Sequence, residues 1–247
     1  MLAPFRGIKS SFERITGTRI YRNTLPQGVV VSFDIHRVLG RNGVRTVFDI
    51  GANVGQSALT YLREFPNAQI YSFEPVAATY QQLLARSTGH SRIHTFQTGM
   101  GREAGRVSIN VHPYDQKSSI LFRRPEDHPE TITLDTVANF ADRHKIDTID
   151  FLKVDTEGYD LDVLAGAETL LKEQRIHFVQ SECEPFTRTR EYVSFSALTD
   201  FLRGFKYELF GVYEQYLDEE ERVIRFWNAV FICKKLVPPG TSWPSKA

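Results

Sequence analysis

From residue 44 onward the chain alternates short apolar runs with stretches of helical spacing. The run 44–50 ends in Asp-Ile-Gly and reads as a buried strand. Residues 55–65 place Ala58, Leu59, Leu62 and Phe65 on one face and stop before Pro66, which predicts a helix. The same reading gives a strand over 69–73, a helix over 76–86 and a strand over 91–97. A glycine-rich turn over 99–105 precedes a short strand over 105–111. Further on, a helix is expected over 134–145 with Asp135 as its cap, then a strand over 148–154 and a helix over 160–172. A strand over 176–182 and a helix over 194–203, opened by Ser194, follow. The last two strands, 207–212 and 223–233, are joined by the polar stretch 214–222. That connection is too short for a crossover helix and predicts an antiparallel hairpin. Strands alternating with helices in this way specify a doubly wound α/β sheet with helices on both faces.

Two regions stand outside the alternation. Residues 112–130 are polar, charged and aperiodic, and read as a long loop of the kind that often carries function. Residues 237–247, rich in Pro and Ser, read as a flexible tail. The expected organisation is an N-terminal basic extension over 1–43 packed on the core, one domain over 44–236, and the tail. Within the extension, Phe5, Ile8, Phe12 and Ile15 recur at helical spacing between Arg6, Lys9 and Arg14. This pattern suits a short helix packed on its own domain or on a partner chain, and also one lying on a membrane surface.

Composition changes this picture modestly. Thirty basic and thirty acidic side chains cancel to a net charge of zero, against the basic surplus of a dedicated nucleic-acid binder. With 41% hydrophobic residues a packed core is assured. The charge is uneven: residues 1–47 hold eight basic and two acidic side chains, leaving 22 and 28 for the remainder. That +6 segment suits docking on the acidic body, pairing with another subunit in a homodimer, or attracting an anionic acceptor. No run approaches the roughly 18 apolar residues of a membrane span, and no apolar core followed by a cleavage site opens the chain. A soluble, cytoplasmic protein is expected, with Cys183 and Cys233 as buried reduced thiols.

The most informative stretch is F-D-I-G-A-N-V-G-Q at 48–56, where a strand turns into a helix. Gly51 and Gly55 permit a sharp bend and close approach of a ligand, and the following helix aims its amide end at it. Glu74 closes the next strand in Y-S-F-E-P, where an acid suits both hydroxyls of a ribose. The glycine pattern lacks the G-x-G-x-x-G spacing that cradles a pyrophosphate, and Asp49 would sit badly beside one, which argues against NAD. A sulfonium with an amino-acid tail tolerates that carboxylate.

F-D-I-G-A-N-V-G-Q at 48–56, F-E-P at 73–75, T-L-D at 133–135 and F-L-K-V-D-T-E-G-Y-D at 151–160 together resemble the FkbM family of S-adenosylmethionine-dependent methyltransferases. The resemblance runs in order from about residue 44 to 234. It implies the class I methyltransferase (Rossmann-like) sheet, seven strands with the last antiparallel, in agreement with the hairpin read above. It implies transfer to oxygen, on hydroxyls of sugars, glycans or secondary metabolites. By resemblance Asp49, Gly51, Asn53 and Gly55 line the methionine end of the cofactor, Glu74 holds the ribose, and Gly99 and Met100 lie near the adenine.

Ligands of open α/β sheets bind at the carboxyl ends of the strands. Those ends collect Asp155, Glu157, Glu182, Glu184 and Glu214, with Tyr213 and Tyr216 beside the last. Methyl transfer to oxygen requires the hydroxyl to lose its proton, and a carboxylate can take it. Two or three carboxylates holding Mg²⁺ are the other route, so need for a divalent metal is open. Asp155 is expected to be the main polar residue of the reaction centre, touching cofactor and acceptor, with Lys153 on the same strand face and Glu182 as partner. No histidine cluster with ligand spacing supports a transition metal. Lys117, Ser118 and Ser119 resemble a Ser-rich stretch the family carries ahead of T-L-D. Together with Glu157 and Tyr213 they are the expected acceptor contacts, beside His112 and Tyr114. Arg123 and Arg124 suit a phosphate or carboxylate on the acceptor. Two other functions stay open: a nucleoside-binding scaffold without turnover, and N-methylation. N-methyltransferases often carry an Asn/Asp-Pro-Pro-Tyr/Phe run where this chain has Asp155-Thr-Glu-Gly-Tyr159.

Overall fold

The computed structural model describes residue 16 and residues 25–112, 118–218 and 220–237. The amphipathic pattern at 5–15, Tyr114, Lys117 and the tail beyond 237 lie outside the described residues. The elements are α1 (Val31–Leu39), β1 (Thr46–Ile50), α2 (Gln56–Glu64), β2 (Gln69–Phe73), α3 (Ala77–Ser87), β3 (Ile93–Phe96), β4 (Gly99–Met100), β5 (Gly105–Val111) and β6 (His128–Asp135). After these come α4 (Val137–Arg143), β7 (Ile149–Val154), α5 (Asp160–Ala165), α6 (Glu168–Lys172) and β8 (Ile176–Glu184). The last are β9 (Val193–Ser194), α7 (Phe195–Gly204), β10 (Tyr207–Asp218) and β11 (Val223–Cys233). Among the described residues no helix is long and apolar enough to cross a membrane.

The main sheet runs β10-β11-β8-β7-β1-β2-β3, with β9 added beside β8. β11 lies antiparallel between β8 and β10, and the neighbours from β8 through β3 pair in parallel. This is the class I methyltransferase fold expected from the sequence. Period-two alternation divides the strands between two cores. Phe48, Leu152 and Val179 face α4–α7, where they meet Phe140, Val163, Leu170 and Leu198. Val47, Phe151 and Phe178 face the other way, onto Ile35 of α1 and Ala58 and Tyr61 of α2. Asp34 of α1, 1% exposed, accepts bonds from Gly28 N (2.9 Å) and the Tyr213 hydroxyl (3.0 Å), tying α1 to β10.

Four expectations need correction. The helix expected over 134–145 starts later: β6 continues to Asp135 and pairs antiparallel with β5 in a separate sheet, β4-β6-β5. Ile132 and Leu134 point into that sheet's own small core with Ile109 and Val111, which gives T-I-T-L-D its strand alternation. The cap of α4 is therefore Thr136, whose side chain accepts from Asn139 N at 3.0 Å, while Asp135 pairs with Arg143. The loop expected over 112–130 is shortened by β6 and pinned by an Asn110–Ser119 bridge. The helix expected over 160–172 breaks into α5 and α6 at Gly166, where the chain at Gly101 passes close. A Cβ on Gly166 would stand 2.0 Å from Gly101 O. Gly166→Ala is expected to lower unfolding free energy by about 2 kcal/mol, read by urea denaturation; a loss below about 0.5 kcal/mol would show that the contact yields freely. Finally, β10 extends to Asp218, so Tyr213 and Glu214 belong to a strand and not to the hairpin loop.

Candidate active site

The β1–α2 turn is built from backbone that other residues resist. Gly51 has φ +73, and a Cβ there would lie 1.8 Å from Asp155 O. Gly55, at φ +89, opens α2, whose first turn has no side-chain cap. That leaves helix amides to a bound group or to water. Phe73 O accepts from both Gly51 N and Ala52 N, locking the turn to β2.

Glu74 is held across this turn. Its Oε2 accepts from Asn53 N at 3.2 Å and its Oε1 from Val76 N at 2.9 Å, with the residue 7% exposed. Burial pushes its carboxyl up to about 7, against the pull of those two N–H groups and of Lys153. It lines a cavity of about 620 Å³ that also takes in Gly99, Met100, Ile132, Leu134 and Tyr159 on the apolar side.

On the other side the sheet register creates a polar row. Thr95, Ser72, Asp49, Lys153 and Gln180 are successive partners across β3, β2, β1, β7 and β8, all on one face. Lys153, 8% exposed, sits 3.4 Å from Asp49 Oδ1 and 3.2 Å from Asp155 Oδ2, and donates to Gly51 O at 3.2 Å. Burial alone would push its ammonium down, but Asp155 and Asp49 outweigh it and the net shift is upward. Asp49, fully buried, accepts from Ser57 Oγ at 2.5 Å. Tyr61 of α2 lies over the cluster; burial, then Asp49, drive its phenol well above the usual range, with Glu214 and Asp155 adding to the rise. Behind the Asp155–Gly158 turn, Asp160 receives Ser181 Oγ (2.8 Å) and Thr156 Oγ1 (2.9 Å); burial, then Asp155, raise its carboxyl to about 6.

The sequence-predicted residues separate accordingly. Gly51, Asn53, Glu74, Gly99, Met100, Ser118, Lys153, Asp155, Glu157 and Tyr213 line the cavity together, whereas Asp49 lies beneath its floor and Gly55 behind it. Tyr213 lines the cavity while its hydroxyl donates to Asp34. Ser119 is buried; its Oγ accepts from Leu121 N and does not line the cavity. Glu182 is likewise absent from the wall, because the register sets Gln180 beside Lys153 and leaves Glu182 two residues further along. Arg124 pairs with Asp127 (3.3 Å) and Arg123 donates to Asp127 O (3.3 Å), away from the cavity. Sequence reasoning missed Tyr61, Gln180 and Asn228, all on the wall. The one available signal was a glutamine interrupting the apolar run of β8. Among the described residues no three His, Cys, Asp or Glu side chains converge as metal ligands.

A family model described as methyltransferase FkbM domain matches residues 49–209. The chain belongs to the FkbM methyltransferase family. This FkbM chain is 26% identical over 144 residues to Methyltransferase 1 of Beauveria bassiana, covering 49% of this chain and 58% of that protein. It is 25% identical over 181 residues to 2-O-methyltransferase NoeI of Sinorhizobium fredii, covering 65% and 72%. The chain thus spans little more than half the length of the first of these relatives. Among solved structures, that of M. capricolum TrmK with S-adenosyl-homocysteine aligns with a TM-score of 0.47 at 13% identity, over 83% of this chain and 69% of that one. The residues present fit S-adenosylmethionine, the family's cofactor. The cradle at Gly51 is one a Cβ would fill, Glu74 presents a fixed carboxylate, and the apolar side chains of Val76, Ile132, Leu134 and Tyr159 line the same cavity.

Proposed function

We propose that this chain is an S-adenosylmethionine-dependent O-methyltransferase acting on a hydroxyl of a sugar, glycan or secondary metabolite. The observation that carries this reading is the cavity itself. An apolar compartment beside the fixed Glu74 opens onto a polar wall of Lys153, Asp155, Gln180 and Asn228. The curated name of one relative, a 2-O-methyltransferase, supports oxygen as the acceptor atom. In this reading residues 44–236 form the methyltransferase unit and 1–43 the extension packed on it. Glu74 accepts the ribose hydroxyls, Gly99 and Met100 flank the adenine, and Gly51 and Asn53 bend the backbone around the methionine end. Gly55 opens the helix whose amide end meets that group, and Asp49 sets the charge beneath it. Asp155 and Lys153 set the charge at the reaction centre, and Ser118 and Glu157 meet the acceptor. The acceptor is a small molecule or glycan, and the bound cofactor supplies an activated methyl group.

Calorimetric titration with S-adenosylhomocysteine tests the core claim, with affinity near or below about micromolar expected; no measurable binding would leave a scaffold of the same fold. A methyl-transfer screen over sugar and phenolic hydroxyls, with and without EDTA, then reads acceptor class and metal need together.

Glu74 adds a pH signature. Its folded value of about 7 lies above the ordinary 4.5. It therefore favours the folded state at low pH, and that contribution is lost as pH rises through about 7. Ribose hydroxyls donate to the ionised form, so cofactor affinity runs the opposite way. From about pH 5.5 to pH 7 it is expected to rise up to about tenfold per unit, then level off. Glu74→Gln is expected to weaken binding at pH 8 by at least about tenfold and to flatten the profile. Titrations of both proteins across that range are the check, and an unchanged slope in the variant would remove Glu74 from the ribose site.

A further inference from the structure

Among the described residues seven non-glycine residues have positive φ. Lys145, Gln174 and Lys206 follow the C-caps of α4, α6 and α7, where left-handed backbone is the usual helix ending, and Arg222 turns the β10–β11 hairpin. The other three, Asn53 (φ 50), Glu157 (φ 51) and Glu214 (φ 48), all line the cavity. Asn53 and Glu157 sit in tight loops beside glycines. Glu214 sits inside a strand, where no turn calls for such backbone.

The cause is a bulge. β10 and β11 are in register at Tyr213↔Asn228 and next at Tyr216↔Phe226, so β10 carries one extra residue between them. In a regular strand the side chains of 213 and 214 would point to opposite faces. Here both line the same cavity. The extra residue and the left-handed φ re-aim Glu214 toward the side that holds Lys153, Asp155 and Tyr61. Non-glycine residues rarely hold such backbone without a return, and strain of this sort gathers at functional sites.

The chemistry around Glu214 differs from that around Asp155. Asp155 is paired with Lys153 at 3.2 Å. Glu214 has a neutral partner, accepting from Asn228 Nδ2 at 2.6 Å, which fixes the carboxylate without neutralising it. Gln180, 5% exposed, lies on the same wall, and its Oε1 has no hydrogen-bond partner among the described residues. A buried carbonyl oxygen left unpaired asks for a donor, and a second hydroxyl on the acceptor supplies one. Glu214 is itself exposed at the cavity mouth and can pass a proton to water.

We propose that Glu214 is the general base of the transfer and that Gln180 and Asn228 position a polyhydroxylated acceptor against it. The proposal rests on the methyltransferase reading above. As the new oxygen–methyl bond forms, the acceptor hydroxyl's proton passes to a Glu214 carboxylate oxygen. The sulfur–methyl bond breaks with its electron pair remaining on sulfur, giving a neutral thioether, and Glu214 then releases the proton to solvent.

Glycine adopts φ 48 without strain, so Glu214→Gly separates the functional role from the structural one. Thermal unfolding of the full chain carrying Glu214→Gly is expected at or above the wild-type midpoint, with S-adenosylhomocysteine affinity within about twofold. Transfer of a radiolabelled methyl group to a pool of monosaccharides and phenols is expected to fall at least about 100-fold in Glu214→Gly and Glu214→Gln. Added formate is expected to restore at least about tenfold in Glu214→Gly and nothing in wild type. Transfer within about threefold of wild type in Glu214→Gln, with cofactor binding intact, overturns the base assignment alone. Loss of transfer without formate rescue also overturns it. A wild-type chain that binds no S-adenosylhomocysteine, or transfers to no hydroxyl in the pool, overturns the methyltransferase reading and the base assignment with it.

Discussion

Replacing Lys153 with methionine is expected to remove about 3–5 kcal/mol of folding stability, the usual consequence of deleting one partner of a buried ionic cluster. Lys153 stands between Asp49 and Asp155 and bonds Gly51 O, and Asp49 is fully buried. Methionine fills much of the same volume, so the loss isolates charge from packing. What remains is a carboxylate in the core whose surviving bond is to Ser57 Oγ. The double variant Lys153→Met/Asp49→Asn removes that uncompensated charge and is expected to recover at least half of the loss. Urea denaturation of the wild type and the two variants measures both effects. A single-variant loss under about 1 kcal/mol would mean that water reaches Asp49 and the cluster is not dry.

Gly51→Ala is expected to weaken S-adenosylhomocysteine binding by more than about 100-fold and to destabilise the chain by about 3 kcal/mol. Two costs combine at this position. Left-handed backbone disfavours any Cβ by about 1–2 kcal/mol, and the new atom would meet the Asp155 carbonyl at 1.8 Å. Relief requires the ends of β1 and β7 to part, and those ends carry Gly51, Lys153 and Asp155 of the cavity wall. Gly105→Ala is the control, since its Cβ would meet nothing within 4 Å and its φ is ordinary. Titration and denaturation of the two variants side by side distinguish a cradle from a merely tolerant turn; equal behaviour would dismiss the cradle.

What the sequence made legible follows from the range of the forces involved. The β1–α2 turn was readable because glycines, an apolar strand and helical spacing are local signals, and the next strand's closing acid lies at a fixed distance. The close approach at Gly166 was not, because its partner Gly101 is far away in sequence and in contact only after folding. T-I-T-L-D at 131–135 alternates correctly for a strand, but toward a second small core that no local pattern announces. Glu182 was chosen over Gln180 for the same kind of reason: the rule about strand ends names a region, whereas cross-strand register selects the residue. The bulge at Glu214 adds one residue to one strand of a pair, and a single chain read alone has no second strand to count against.

The place of β11, antiparallel between β8 and β10, also sets the order in which the molecule is made. A chain leaving the ribosome can pair β1, β2, β3, β7 and β8 before residue 223 has been joined. Until then β8 presents a bare edge, and Gln180 has no Val230 opposite it. The Glu74 side of the cavity is thus assembled first and the Glu214 side last, by strands of long sequence separation that close slowly. A nascent chain can therefore hold the β1–α2 turn and Glu74 in place before Glu214 and Asn228 arrive, with the edge of β8 still unpaired.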